Sequence, residues 1–247
     1  MIAVQLYTLR SLLQDPSKIG VVLDRVHEIG YRAVEVAGIP PDGVARFGRE
    51  LERTGLVACA AHVALERLRK DLDDAASECK GWGCEYVVIP ALPEQQRSRE
   101  GFRQFAAEST ELAQRLGAHG LKLAYHNHAY ELERTGDETW LETLLKSSAI
   151  DAEFDTYWLQ FGGADPTGWI RRHKGRVPLV HFKDLAVDRG SPFDAEVGEG
   201  NLNWPDILNA CREAGTKWLV VEQDTPRRDP LESVSISYAN LSRLMEG

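Results

Sequence analysis

The sequence predicts an α/β fold, a single (β/α)8 TIM barrel spanning residues 1–247. Three observations predict it. A helical stretch that ends in Gly is followed, again and again, by a short apolar strand. Eight such units can be counted. No Gly-rich phosphate loop follows the first strand, which sets the chain apart from a doubly wound open sheet, the alternative α/β architecture.

The repeated unit appears first in EIGYRAVEVAG (28–38), then in RTGLVACAAHV (53–63), GWGCEYVVIP (81–90), GAHGLKLAYHNH (117–128), HKGRVPLVHFKD (173–184) and EAGTKWLVVEQD (213–224). Gly suits the position past a helix end because it tolerates positive φ. The strands are near-continuous apolar runs, such as VVI at 87–89 and LVV at 219–221, which suits parallel strands buried on both faces. Strands are predicted near 2–8, 33–37, 56–62, 86–90, 121–127, 151–157, 178–183 and 217–223. Helices are predicted near 17–29, 41–54, 66–80, 98–116, 138–147, 166–174, 204–214 and 230–245. Within 98–116, Phe102, Phe105, Ala106, Leu112, Ala113 and Leu116 recur close to the helical period. Asp15-Pro16 and Asn203-Trp204-Pro205 read as helix starts, a capping side chain with Pro in the first turn. The longest irregular stretch is 186–203, a candidate lid over the barrel mouth.

Composition excludes several classes. A net charge of −9 argues against a nucleic-acid partner, whose phosphates are held mostly by Lys and Arg. No apolar run approaches the ~18 residues of a membrane helix. The start, MIAVQLYTLR, lacks the basic region and apolar stretch of a signal peptide. Cys59, Cys79, Cys84 and Cys211 form no C-x-x-C pair, so Cys79 and Cys84 read as buried thiols rather than metal ligands, in a cytoplasmic protein.

The active site of such a barrel lies at the C-terminal strand ends. Here these ends carry Glu35, His62, the run Tyr125-His126-Asn127-His128, Glu153 with Asp155, the run His181-Phe182-Lys183-Asp184, and Glu222-Gln223-Asp224. Residues i and i+2 of a strand share a face, so His126 and His128 point the same way, as do His181 and Lys183, and Glu222 and Asp224. Carboxylates mixed with imidazoles suit Mn²⁺, Mg²⁺, Co²⁺ or Zn²⁺ with positions open to substrate oxygens. Taken singly, a strand-end Asp more often caps the next helix and a His more often makes a structural hydrogen bond. Four neighbouring strands ending in His, Asp, His and Glu make the metal reading the sharper one.

The segments LAYHNHAYEL (123–132), FDTYWLQFGGADP (154–166), GRVPLVHFKDL (175–185), VGEGNLNW (197–204) and WLVVEQD (218–224) resemble the xylose isomerase-like TIM barrels, a family of sugar phosphate isomerases and epimerases. VQLYTLR and EIGYRAVEVAG near the N-terminus are similar too. The resemblance implies one divalent metal held by side chains on strands 5 to 8, some members being homo-oligomers. Asp155, His181 and Glu222 match three of its ligands. Where many epimerases have Glu, this chain has His126, within a YHNH run similar to inosose dehydratase-like proteins.

The resemblance implies a metal held by His126, Asp155, His181 and Glu222, with a sugar or keto-polyol as substrate. Glu222, His128 or Lys183 is then the base that removes a proton next to the carbonyl, forming an enediolate. Proton return gives isomerisation or epimerisation, the reaction the resemblance implies first. Loss of a β-hydroxyl gives a dehydratase, acting on a keto-inositol or 3-keto sugar. A non-catalytic sugar-binding barrel and an endonuclease are the remaining alternatives. Glu35 and His62 either bind sugar hydroxyls or satisfy backbone groups. Trp158 and Phe161 either stack on a sugar face or pack under a loop. Lys183 either meets a phosphate or carbonyl, or pairs with Asp184 or Glu153.

Overall fold

The structure, a computed structural model, describes residues 1–246. Eight parallel strands close on themselves: β1 (Ile2–Gln5), β2 (Ala33–Val36), β3 (Val57–His62), β4 (Tyr86–Ile89), β5 (Lys122–His126), β6 (Asp151–Asp155), β7 (Leu179–Phe182) and β8 (Trp218–Val221). Each pairs with the barrel strand before and after it, and β8 closes the ring on β1 with Leu219 opposite Ile2 and Val221 opposite Val4. Helices lie between the strands, and a last helix, Pro230–Glu246, follows β8. The predicted (β/α)8 barrel is thus the observed fold.

Strand alternation sorts the barrel into layers. Ala3, Ala33, Ala60, Tyr86, Val88, Ala124, Leu179, Trp218 and Val220 point inward, together with Cys59, and form one apolar cluster. The residues between them, among them Val34, Val87, Leu123, Phe154, Val180 and Phe182, point outward and join the core beneath the helices. Small side chains on β1, β2, β3 and β5 make room for Tyr86 and Trp218, which fill the barrel floor. Removing an outward core ring such as Phe154 would cost about 3–5 kcal/mol. Two residues further along each strand the inward positions turn polar: Gln5, Glu35, Glu153 and His181 are all fully buried. The chemistry begins at that height. Beside Glu35 the register between β2 and β3 shifts, Val34 facing Ala58 and Glu35 facing Ala60, so β3 carries one extra residue there.

The predicted helix starts take their caps as read. Asp15 accepts from the Ser17 amide, and Asn203 caps Trp204–Ala214 with Pro205 in the first turn. Gly55 and Gly215 end their helices at φ 71° and 78°, in the left-handed region.

Two expectations need correction. Strand 1 does not run to residue 8: Leu6–Leu9 is a 3-10 turn that begins when the Gln5 side chain accepts the Tyr7 amide. The stretch 186–203 is not irregular throughout. Asp184–Asp188 pairs antiparallel with Ser191–Ala195, and the loop after the ribbon is tied down by one carboxylate. Asp184 accepts from the amides of Leu185, Gly198, Gly200 and Leu202 and from Trp204 Nε1 at 2.6–3.1 Å. A Cβ at Gly200 would fall 2.3 Å from Asp184 Oδ1. A segment anchored this densely is a fixed wall, because each lost partner would leave a buried charge short of a donor.

Candidate functional site

The mouth is built from strand ends that alternation aims inward. β6 ends at Asp155, whose Oδ1 accepts the Trp158 amide at 2.9 Å and so starts the helix Thr156–Phe161. Its other oxygen, Oδ2, is buried and faces the Lys183 ammonium at 2.9 Å. The capping role and a ligand role therefore use different atoms of one side chain. Asn127 Oδ1 accepts the Asp155 amide, and Thr156 Oγ1 donates to the carbonyl oxygens of His181 and Lys183. These ties hold the tops of β5, β6 and β7 together.

His126, Asp155, His181 and Glu222 each offer one donor atom, all within 4.8 Å of one another and all buried. The set joins two carboxylates to two imidazoles, a donor chemistry that fits one divalent cation. One more cation is already present. Lys183 Nζ, fully buried, lies 2.9 Å from Asp155 Oδ2, 2.7 Å from Glu222 Oε2 and 2.8 Å from Asp224 Oδ2. Burial works against its charge, but these three carboxylates hold the lysine well above its usual pKa. The partners expected for Lys183, Asp184 and Glu153, are not the ones found. Asp184 points from the opposite face of the chain into the loop anchor, and Glu153 sits one layer lower.

Charge follows position. Burial raises Asp155 to about 6. Burial also disfavours the charge on Glu222, but Lys183 and His181 bring it well below the carboxylate range. His181 is desolvated, yet Glu153, Glu222 and Glu35 around it raise its pKa well above normal. Burial lowers His126 to about 3 and His128 to about 2, so both rings are neutral at physiological pH.

A cavity of about 430 Å³ opens above the set, lined by Tyr7, His62, His126, His128, Glu222 and Asp224 among others. A second cavity of about 460 Å³ shares Ala37, Gly38 and His62 with it and runs on to Arg67 and Trp82. Both volumes suit a small ligand. His62 thus reaches the cavity, whereas Glu35 does not. Glu35 is fully buried, accepting from Gln5 Nε2 at 2.9 Å and lying 2.6 Å from His181 Nε2. The expectation that Glu35 meets a sugar hydroxyl or a backbone group is therefore corrected: its partners are side chains beneath the cavity. The Trp158 ring lies 5.4 Å from that of His128 and 5.8 Å from the Lys183 ammonium. Phe161 is exposed and packs edge-on against Trp158.

Sequence reasoning passed over Glu131. It is fully buried, accepts the Tyr125 hydroxyl and the His128 amide, both at 2.8 Å, and lies 4.0 Å from His128 Nδ1. The signal was the i, i+3 spacing of His128 and Glu131. Burial raises the carboxyl from 4.5 to about 7, against the pull of Tyr125, Tyr130 and the His128 amide. A carboxyl raised in this way contributes stability that is complete below its unfolded pKa and is lost as the pH climbs through the folded one. The wild-type chain is therefore expected to lose up to roughly 3 kcal/mol between about pH 5 and 8 relative to Glu131→Gln, whose amide does not titrate. Urea midpoints across that range check this; parallel curves would refute it.

A family model described as Xylose isomerase-like TIM barrel matches residues 23–241. The chain is 26% identical over 260 aligned residues to the rhizopine catabolism protein MocC of Rhizobium meliloti, covering 90% of this chain and 80% of that one. It is 23% identical to the inosose dehydratase of Salmonella agona, covering 88% and 85%. A crystal structure of a sugar phosphate isomerase/epimerase from Parabacteroides distasonis superposes with a TM-score of 0.81 at 22% identity, covering 98% and 97% of the two chains.

Proposed function

The chain belongs to the xylose isomerase-like TIM barrel family, and on that premise we propose that it is a divalent-metal-dependent enzyme that dehydrates a keto-polyol, a keto-inositol or a related keto sugar. The observation that carries this reading is the division of the mouth into two chemical halves. Asp155, Glu222 and Asp224 all converge on the Lys183 ammonium, while neutral His126 and His128 face the cavity from β5 and the turn after it. His126, Asp155, His181 and Glu222 would hold the metal. Mn²⁺, Mg²⁺, Co²⁺ or Zn²⁺ there supplies positive charge that favours negative charge on a substrate carbonyl oxygen.

The chain's own groups do the rest. His128 lines the cavity as a neutral imidazole and takes the proton from the carbon beside the carbonyl. Glu131 accepts the His128 amide and so fixes the turn that carries the ring. As the carbon–carbon double bond forms, the β-hydroxyl leaves with a proton from the Lys183 ammonium, as water. Proton transfer from the His128 imidazolium back to the lysine restores both groups. His62 and Trp158 at the cavity edge bind the remaining hydroxyls and the ring face. Two relatives aligned along more than four-fifths of this chain support the reading, one of them an inosose dehydratase and the other a rhizopine catabolism protein. The family, the four free buried thiols and the absence of a helix long and apolar enough to cross a membrane, among the described residues, agree with a cytoplasmic metabolic enzyme.

Isomerisation or epimerisation is the second reading, favoured by one feature: Glu222 lines the same cavity as His128 and offers a second base. Product analysis decides. Keto-inositols, ketoses and 3-keto glycosides are incubated with the metal-loaded protein and followed by mass, NMR and ultraviolet absorbance. Dehydration removes one water and creates a conjugated, absorbing ketone. A product of unchanged mass establishes the second reading instead. No conversion and no bound metal would leave a sugar-binding barrel.

A further inference from the structure

Beneath the four-donor set one atom recurs. Glu153 Oε2 lies 2.8 Å from His62 Nε2, 3.1 Å from His181 Nε2 and 3.2 Å from His126 Nδ1. Glu35 Oε2 backs it, 2.6 Å from His181 Nε2 and held by Gln5. Both glutamates are fully buried.

A neutral imidazole has one N–H and one lone pair, on opposite sides of the ring. An ionised carboxylate accepts only, so each ring that meets Glu153 must place its proton on the lower nitrogen. The lone pair is then forced onto the upper one. For His126 the upper atom is Nε2, and for His62 it is Nδ1 beside the cavity. His181 differs, because its Nδ1 also meets a carboxylate, Glu222 Oε2 at 2.8 Å, so both of its nitrogens carry protons and the one on Nδ1 would give way to the metal.

We propose that Glu153, backed by Glu35, is a positioning residue that sets the tautomers of His62 and His126 and keeps the proton on His181 Nε2, so that His126 Nε2 and His181 Nδ1 are the atoms left for the metal and His62 Nδ1 the one left for the substrate cavity. The metal half of this rests on the proposed function; the tautomers themselves do not. The charge on Glu153 is what the arrangement needs. One carboxylate oxygen within 3.2 Å of three ring nitrogens has the geometry of an acceptor. A glutamine there would offer its own N–H groups toward the rings and remove the preference. Carboxylates behind ligating histidines typically govern metal affinity by 10–100-fold, roughly.

The competing account is that the same atoms are ligands themselves. His62, His126, Glu153 and His181 offer donors within 4.8 Å of one another, and Oε1 of both glutamates lacks a partner. A deep cation would demand the reverse tautomers, lone pairs below and protons above. Long-range ¹H–¹⁵N spectra of histidine-labelled, zinc-loaded protein separate the two. The expected result is a protonated Nε2 on His62 and His181 and a protonated Nδ1 on His126, with one zinc per chain. In Glu153→Gln the His62 and His126 signals should become tautomer mixtures and zinc affinity should fall about 10–100-fold, while Glu153→Asp recovers part of both. Two zinc ions per chain, or lower nitrogens without protons in the wild type, would overturn the proposal. So would unchanged tautomers and affinity in a folded Glu153→Gln variant. If that variant does not fold, the wild-type spectrum decides alone. If the protein takes up no zinc, the proposed function fails, and the His62 and His126 tautomers are still read in the metal-free protein.

Discussion

Asp155→Asn and Glu222→Gln are each expected to leave the barrel folded, to abolish stoichiometric divalent metal and to lower kcat/KM by roughly 10³-fold or more, about 4 kcal/mol of transition-state stabilisation. Asparagine is the informative choice at 155. Its carbonyl can still accept the Trp158 amide that Asp155 Oδ1 accepts now, so the cap on Thr156–Phe161 survives. Asp155→Ala would remove that cap as well, at about 1 kcal/mol, and mix two effects. What asparagine removes is the charge at Oδ2, the buried oxygen that faces Lys183 Nζ at 2.9 Å. Glu222→Gln likewise removes a charge 2.8 Å from His181 Nδ1 while keeping the shape. Metal content by elemental analysis, circular dichroism and steady-state rates on the substrate identified by product analysis form the test. Folded variants that keep one metal per chain, or lose less than about tenfold in rate, would show that the four-donor set is not the metal site.

How far this was legible in the sequence depends on the kind of information each feature carries. The barrel is written in local signals: Gly after helices, apolar strand runs and caps at Asp15 and Asn203. All are properties of neighbours in the chain, and the structure follows them. The inward direction of His126, His181 and Glu222 follows from the period of two along a strand, which sequence also contains. Depth is different. Glu35 and Glu153 look like strand-end carboxylates in the sequence, and only the closure of the barrel shows that they sit a layer below Asp155 and Glu222. The choice of Asp155, Glu222 and Asp224 as partners for Lys183 is of the same kind. Adjacent Asp184 was the natural guess, but successive residues point to opposite faces, and Asp184 turned outward to collect five donors. The supposed lid misled for a related reason. Residues 186–203 carry Gly and Pro as loops do, yet a ribbon and one buried carboxylate anchor them, and such a tertiary anchor leaves no local trace.

Lys183→Met is expected to produce the largest change in the metal-free protein and a smaller one in the metal-loaded protein. The ammonium is fully buried among Asp155, Glu222 and Asp224 at 2.7–2.9 Å. Methionine has nearly the same length, so packing changes little, but three carboxylates lose their common counter-ion. Removing one partner from a buried charge cluster typically costs about 3–5 kcal/mol. In a barrel of this size that corresponds to roughly 10 °C in Tm. Two of the three carboxylates are also proposed metal ligands, so a divalent cation would neutralise what methionine leaves bare. The thermal shift on adding Mn²⁺ or Zn²⁺ should therefore be larger in Lys183→Met than in the wild type, because binding to the native state alone stabilises it by mass action. The sign of that difference is the test. If lysine and metal compete for Asp155 and Glu222, removing the lysine strengthens metal binding while turnover falls for want of the proton donor. If metal raises Tm equally in both proteins, or less in the variant, the ammonium and the cation do not share ligands and the site lies elsewhere. Scans with chelator and with metal, on both proteins, give the four midpoints needed, and the chelated pair alone measures what the buried ammonium contributes to the fold.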